Sequence, residues 1–187
     1  MFSERGFDGT SVAAINRELG VSHNLIHQRF GSKEALWFAM IDWAFGKIEG
    51  GLAELDTGAE SDVVTATRHT IVRFLELHAA HPEILRLVTV EGASPSPRLT
   101  YLWETHIGPS IARVMAPLKV LVDAGVLTNA DIRSLHFLVA HGATAPFSLV
   151  PLAELLDPQD PRRPTAVREH ANFVADLVVA GLKAKGA

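Results

Sequence analysis

Hydrophobic residues recur at spacings of three and four along almost the whole chain, and no stretch alternates in the strand-like way between hairpin turns. The pattern predicts an all-α protein. Val12, Ile15 and Leu19 share one face of a short helix that begins at Thr10-Ser11, two good N-capping types, and stops at Gly20. A second short helix is expected after Ser22, with Ile26 and Phe30 turned inward. Gly31-Ser32 then breaks the chain before a long helix carrying Leu36, Met40, Trp43 and Lys47 at spacings of four, three and four.

The polar, glycine-containing stretch Glu54 to Glu60 marks the expected domain boundary, dividing a head over residues 1–50 from a helical body over residues 51–187. In the body a helix from about Ser61 to Ala80 should turn Val64, Ile71, Phe74, Leu75 and His78 inward. Pro82 opens the next, through Glu91. A long segment from Arg98 to Ala124 should kink at Pro109 and Pro117, because an interior proline removes a backbone donor. Asn129 is expected to cap a helix from Ala130 to Ser148 that is apolar nearly all round, hence buried on several sides. The last helix, Thr165 to Lys183, has two apolar faces. Phe173, Leu177 and Ala180 form one; the small side chains Ala171, Val174, Val178 and Gly181 form the other, which is expected to meet a second copy of the chain. The chain is thus expected to act as a homodimer.

Composition narrows the classes. Of 187 residues 48% are hydrophobic and 20% charged, ordinary values for a folded chain. There is no cysteine, which removes disulfides, thiol nucleophiles and thiolate-bound metals. No apolar run reaches the roughly 18 residues of a membrane span and no secretory signal opens the chain, so a cytoplasmic protein with no membrane partner is expected. Nucleophile-elbow, phosphate-loop and zinc-protease motifs are missing, which argues against an enzyme. His78 with His81, and His136 with His141, lack a matching carboxylate on the same helical face, so neither a metal nor a cofactor is expected.

Charge argues against nucleic acid. The net charge is −4, and the first fifty residues hold five basic side chains against six acidic ones, whereas phosphate contacts normally supply much of DNA affinity. The motif from Thr10 to Leu36 argues the other way. Two short helices joined by Gly20-Val21-Ser22 form a helix-turn-helix. The second helix presents His23, Asn24, Leu25, His27 and Gln28 outward, and Asn and Gln can pair bidentately with adenine in the major groove.

This segment resembles the DNA-binding domain of the TetR family of transcriptional repressors. The likeness is carried by F-S-E-R-G-F-D-G-T-S-V (Phe2 to Val12), I-x-x-x-L-G-V-S (Ile15 to Ser22) and F-G-S-K-E-A-L (Phe30 to Leu36), with H-P-E-I-L-R-L (His81 to Leu87) further on. The resemblance implies phosphate contacts from Ser11 and Lys33, base contacts from His23, Asn24, Leu25 and Gln28, and a contact from His27 where the family usually has Tyr. Asn16 stands where a small apolar residue is usual. It also implies double-stranded operator DNA and a small, largely apolar effector as partners. Phe74, Trp103, His106, Phe137, His141, Thr144 and Phe147 are the residues expected to line the effector cavity. A helical ligand binder that does not engage DNA stays open as the alternative, since the pattern starts inside the family's first helix and its basic opening portion is absent.

Overall fold

The computed structural model describes residues 1–53 and 62–186, and every regular element among them is helical. The expected boundary at Glu54 to Glu60 lies outside the described residues. A short helix α1 (Phe2–Arg5) precedes α2 (Val12–Glu18), which Ser11 caps by accepting the Ala14 N–H at 3.1 Å. Gly20, at φ 65°, takes the left-handed conformation that reverses the chain. The next helix, α3 (Leu25–Phe30), starts later than its sequence suggests, with Asn24 rather than Ser22 at the cap. The cause is a short-range side-chain bond. The buried Asn16 amide donates to the His23 carbonyl at 2.6 Å and holds Ser22 to Asn24 as a turn.

Ser32 caps α4 (Lys33–Ala53) through a 3.0 Å bond from Ala35 N–H. At 21 residues α4 is roughly 30 Å long, and it runs unbroken past residue 50. Its buried stripe is Trp37, Ile41, Ala44, Phe45, Ile48 and Leu52. The stripe is therefore rotated from the expected one: Leu36 and Met40 are half-buried, and Trp43 lies exposed beneath the Lys47 ammonium. Ile84 and Leu87 of α6 (Pro82–Glu91) and Leu102 of α7 (Pro97–Leu102) close on that stripe, together with Phe2. Head and body thus share one core, each fully buried large side chain contributing about 1.5–3 kcal/mol.

A second core lies between α5 (Val63–Ala80) and α13 (Pro164–Gly186), where Ile71, Leu75 and Ala79 meet Val167, Ala171, Ala175 and Val178. Ala171 and Ala175 are completely buried, so the two helices approach closely. Arg68 pins the pair, donating to Asp176 at 2.8 Å and to Asn172 at 2.7 Å. This corrects the expected dimer face: Ala171 and Val178 are occupied within their own chain, Val174 is half-buried, and only Gly181 is exposed. Phe173 and Leu177 are the apolar residues that α13 leaves outside, at 62% and 58% exposure.

The segment from Arg98 to Ala124 is broken as its prolines require. After α7 the chain widens into a π-turn, Trp103–Ile107, closed by Gly108 N–H donating to the Trp103 carbonyl. Then come α8 (Gly108–Val114), a 3₁₀ turn around Pro117 and α9 (Lys119–Asp123), which stops at Gly125 with φ 74°. The expected single helix from Ala130 to Ser148 is likewise three pieces. Thr128, not Asn129, caps α10 (Asn129–Phe137), in a capping box with Asp131. A second π-turn, Leu138–Gly142, leads to α11 (Ala145–Ser148), and α12 (Val150–Leu156) follows. Nor is this stretch buried all round, since Phe137 and Leu138 are 57% and 58% exposed. Among the described residues no single helix is long and apolar enough to cross a membrane.

Candidate DNA-reading surface and effector chamber

Ile26 is buried and anchors α3 to the head, which leaves the rest of that helix outward. His23, Asn24, Leu25, His27 and Gln28 are all exposed there, and Ser11 is exposed at the start of α2. His23 Nδ1 lies 3.2 Å from Asn24 Oδ1. Lys33 is half-buried at the start of α4, its ammonium 4.2 Å above the Phe7 ring, with the Arg98 guanidinium 4.0 Å from the same ring. Two cations were not singled out in the sequence. Arg17 on α2 and Arg29 on α3 are exposed and have no partner among the described residues. Both offset the acidic balance of the head, each in the last turn of its helix.

The body contains an open chamber of about 590 Å³ bounded by α6, the Trp103–Ile107 turn, α8 and α10. Val88, Trp103, Ile107, Ile111, Ile132 and Phe137 give it apolar walls; Thr89, Asn129, Arg133, His136 and His141 add polar groups. Two smaller voids of about 60 and 30 Å³ share walls with it or with each other, reaching Phe74 and His78, then Thr67 and Thr70. The Thr67 and Thr70 hydroxyls are buried without a hydrogen-bond partner among the described residues.

Four of the seven expected cavity residues therefore come together here: Trp103, Phe137 and His141 in the chamber, and Phe74 below it. The other three do not. Thr144 is buried and donates its hydroxyl to the Ala140 carbonyl at 2.5 Å. Phe147 is packed in the α5–α13 core, edge-on to His170. His106 points away from the chamber toward α4. Its Nε2 is 2.9 Å from Asp42 and its Nδ1 2.9 Å from Glu49, with the ring stacked on Phe45 at 4.7 Å. Asp42 also accepts the Tyr101 hydroxyl at 2.7 Å, which raises the Tyr101 pKa. One π-turn thus gives Trp103 and Ile107 to the chamber wall and His106 to a clamp on α4.

Burial lowers the pKa of the histidines in and below the chamber. His78 Nδ1–H donates to the Phe74 carbonyl at 2.8 Å, and desolvation pushes its pKa down to about 4. Burial also lowers His136, helped by repulsion from His141, whose own pKa burial lowers. Among the described residues Arg133 is consequently the one full charge in the chamber wall. Among the described residues no group of three metal-ligating side chains forms.

A helical head with an outward polar helix, joined through α4 to a hollow helical body, has known counterparts. Among solved structures the chain resembles the hemolysin II transcriptional regulator HlyIIR, with 21% identity and a TM-score of 0.60 over 92% of this chain and 89% of that one. It also resembles FadR of Bacillus subtilis, solved with stearoyl-CoA, at 16% identity and TM-score 0.61 over 96% and 92%. PfmR of Thermus thermophilus, a TetR family regulator, matches at 22% and 0.59 over 96% and 92%. At these identities the likeness shows the fold. A curated relative, the uncharacterized HTH-type transcriptional regulator YuxN of Bacillus subtilis (strain 168), is 27% identical over 95 residues, 51% of this chain; the chain spans about a third of that relative's length, 32%. Residues 1–40 match the family model for bacterial regulatory proteins of the tetR family, and residues 64–178 match the tetracyclin repressor-like C-terminal domain. With more than half of its length matched by the second model alone, the chain belongs to the TetR family of transcriptional regulators.

Proposed function

We propose that this protein is a cytoplasmic repressor that binds operator DNA as a homodimer and releases it when a small, largely apolar molecule fills the chamber. The observation that carries the reading is the continuity of α4. It begins beside the exposed row on α3 and is gripped at Asp42 and Glu49, about two and a half and four and a half turns further on, by His106 from the turn that builds the chamber's wall. An effector that preferred a different setting of the Trp103–Ile107 turn would move His106 and with it the angle of α4. Only such a difference in preference between the two settings can shift the heads away from the spacing of successive major grooves. FadR of Bacillus subtilis holds stearoyl-CoA in the same fold, which supports an apolar effector here.

In this reading Asn24 and Gln28 read base edges, Ser11, Lys33, Arg17 and Arg29 contact phosphates, and His23, Leu25 and His27 complete the surface. The second copy of the chain covers Phe173 and Leu177 of α13, joined by Leu155 and Leu156 of α12, which are 83% and 87% exposed. That much apolar surface in water favours burial against a copy of itself.

Selection from a random double-stranded DNA library tests the reading. The enriched sites should be two-fold related half-sites about 34–36 Å apart or a multiple of that. Gln28→Ala should relax one base position by about 1–3 kcal/mol. Lys33→Ala should weaken all sequences alike and lower the salt slope by about 1. A library that stays unenriched would leave a helical ligand binder without DNA as the reading.

A further inference from the structure

We propose that the effector is a hydrophobic monoanion: an apolar molecule carrying one carboxylate or comparable acidic group, which Arg133 binds at the chamber mouth. The inference rests on the chamber being the effector site and goes on to specify the ligand's charge. Arg133 sits on the face of α10 that builds the wall, flanked by Asn129, Ile132, His136 and Phe137. It has no ion pair or hydrogen bond among the described residues, whereas Arg98 is paired with Glu91 at 3.0 Å and Arg86 donates to the Ser148 carbonyl at 2.7 Å. Among the described residues no carboxylate lines the chamber. The acidic residue nearest in sequence, Asp131, is engaged by Thr128 and by Lys185 of α13.

The chamber therefore offers a single uncompensated positive charge beside apolar walls. A guanidinium presents the planar fork that matches a carboxylate. The neutral histidines add hydrogen-bonding groups but no charge, so a ligand bearing several phosphates would leave most of its charge unpaired. Trp103 and Phe137 are each more than half exposed on the walls, an apolar surface for the rest of the ligand to cover. At about 590 Å³ the space suits a drug-sized molecule.

Calorimetric titration of the full chain with decanoate and with decanol, which share an apolar tail and differ in charge, decides the matter. Decanoate should bind about tenfold or more tightly than decanol, as a hydrogen-bonded charge pair gives. Arg133→Gln should bring decanoate down to the level of decanol and leave decanol unchanged; Arg133→Lys should keep part of the preference. Equal binding of the two probes, or a preference that survives Arg133→Gln, would overturn the monoanion while leaving the chamber as an apolar site. If neither probe binds, or if Ile111→Trp, which fills the chamber, leaves both affinities unchanged, the chamber reading falls as well.

Discussion

The DNA-reading head and the effector chamber are held together over very different distances along the chain. In the head the fixing bonds are local. Ser11 caps a helix three residues on, Thr10 donates to the Gly6 carbonyl four residues back, and Asn16 reaches His23 seven residues away. Around the chamber the ties span the body: Thr89 to His141 across 52 residues, His106 to Glu49 and Asp42 across 57 and 64, and Arg86 to Ser148 across 62. Local ties fix a surface that must present the same groups to DNA on each encounter. Long-range ties allow a change in one wall to be felt at a distant helix, as a switch requires. The two regions meet on α4.

That meeting predicts the largest effect. Trp37 is fully buried, lies edge-on to Phe7 and Phe38, and belongs to the core that joins the head to α6 and α7. Trp37→Ala should cost about 3–5 kcal/mol, and urea denaturation followed by circular dichroism should still show one transition for the whole chain. Two transitions, with the body's midpoint unmoved, would mean that head and body fold as separate units. Trp37→Phe should cost less than the lost volume suggests, because the indole N–H is buried without an acceptor.

The second effect belongs to the body alone. Folded His78 has a pKa of about 4 against an unfolded value near 6.5. Between those values the unfolded chain holds the extra proton, so stability falls as pH drops through about 6.5 and goes on falling to about 4. The total is about 3 kcal/mol. His136 and His141 are shifted the same way and add to the slope. Urea midpoints measured from pH 7.5 to pH 4.5 should show this fall, and His78→Leu should flatten most of it. An unflattened slope in that variant would assign the pH response to other groups.

The same difference in reach explains what could be read from the residues alone. The helix-turn-helix was legible because Ser11, Gly20, Ile26 and Ser32 act within a turn or two of their own positions. On α4 the set Leu36, Met40 and Trp43 and the set Trp37, Ile41 and Phe45 fit a helix equally well. Ile84 and Leu87, far along the chain, decide which set goes inside. On α13 the small residues went inward because α5 could come close to them, leaving the bulky Phe173 and Leu177 outside. Trp103 and Phe137 drew notice as aromatics on apolar helices. Arg133 resembled any solvated arginine until the chamber beside it was visible. Each π-turn lies in the stretch just before a proline, Pro109 or Pro146, where a backbone donor is missing. The sequence marked the break at Pro109, while the widening of the preceding turns depends on packing.

The smallest effect tests whether local ties really set the reading surface. Asn16 donates one hydrogen bond to the His23 carbonyl, while its Oδ1 is buried with no partner. Asn16→Ala loses a bond worth about 0.5–1.5 kcal/mol but also removes an unsatisfied acceptor of comparable cost. The two contributions nearly cancel, so the urea midpoint should move by less than about 1 kcal/mol. The bond, however, is what holds Ser22 to Asn24 as a turn and sets where α3 begins. Without it α3 can start nearer Ser22, which would carry His23 and Asn24 about 100° per residue around the helix axis and away from the row they form with Gln28. Operator affinity should therefore fall several-fold with stability nearly intact. Asn16→Asp, which keeps the size but places a second acceptor against the His23 carbonyl, should lose both. If Asn16→Ala binds its operator as the parent does, the start of α3 is fixed by Ile26 packing alone, and the local bond is dispensable.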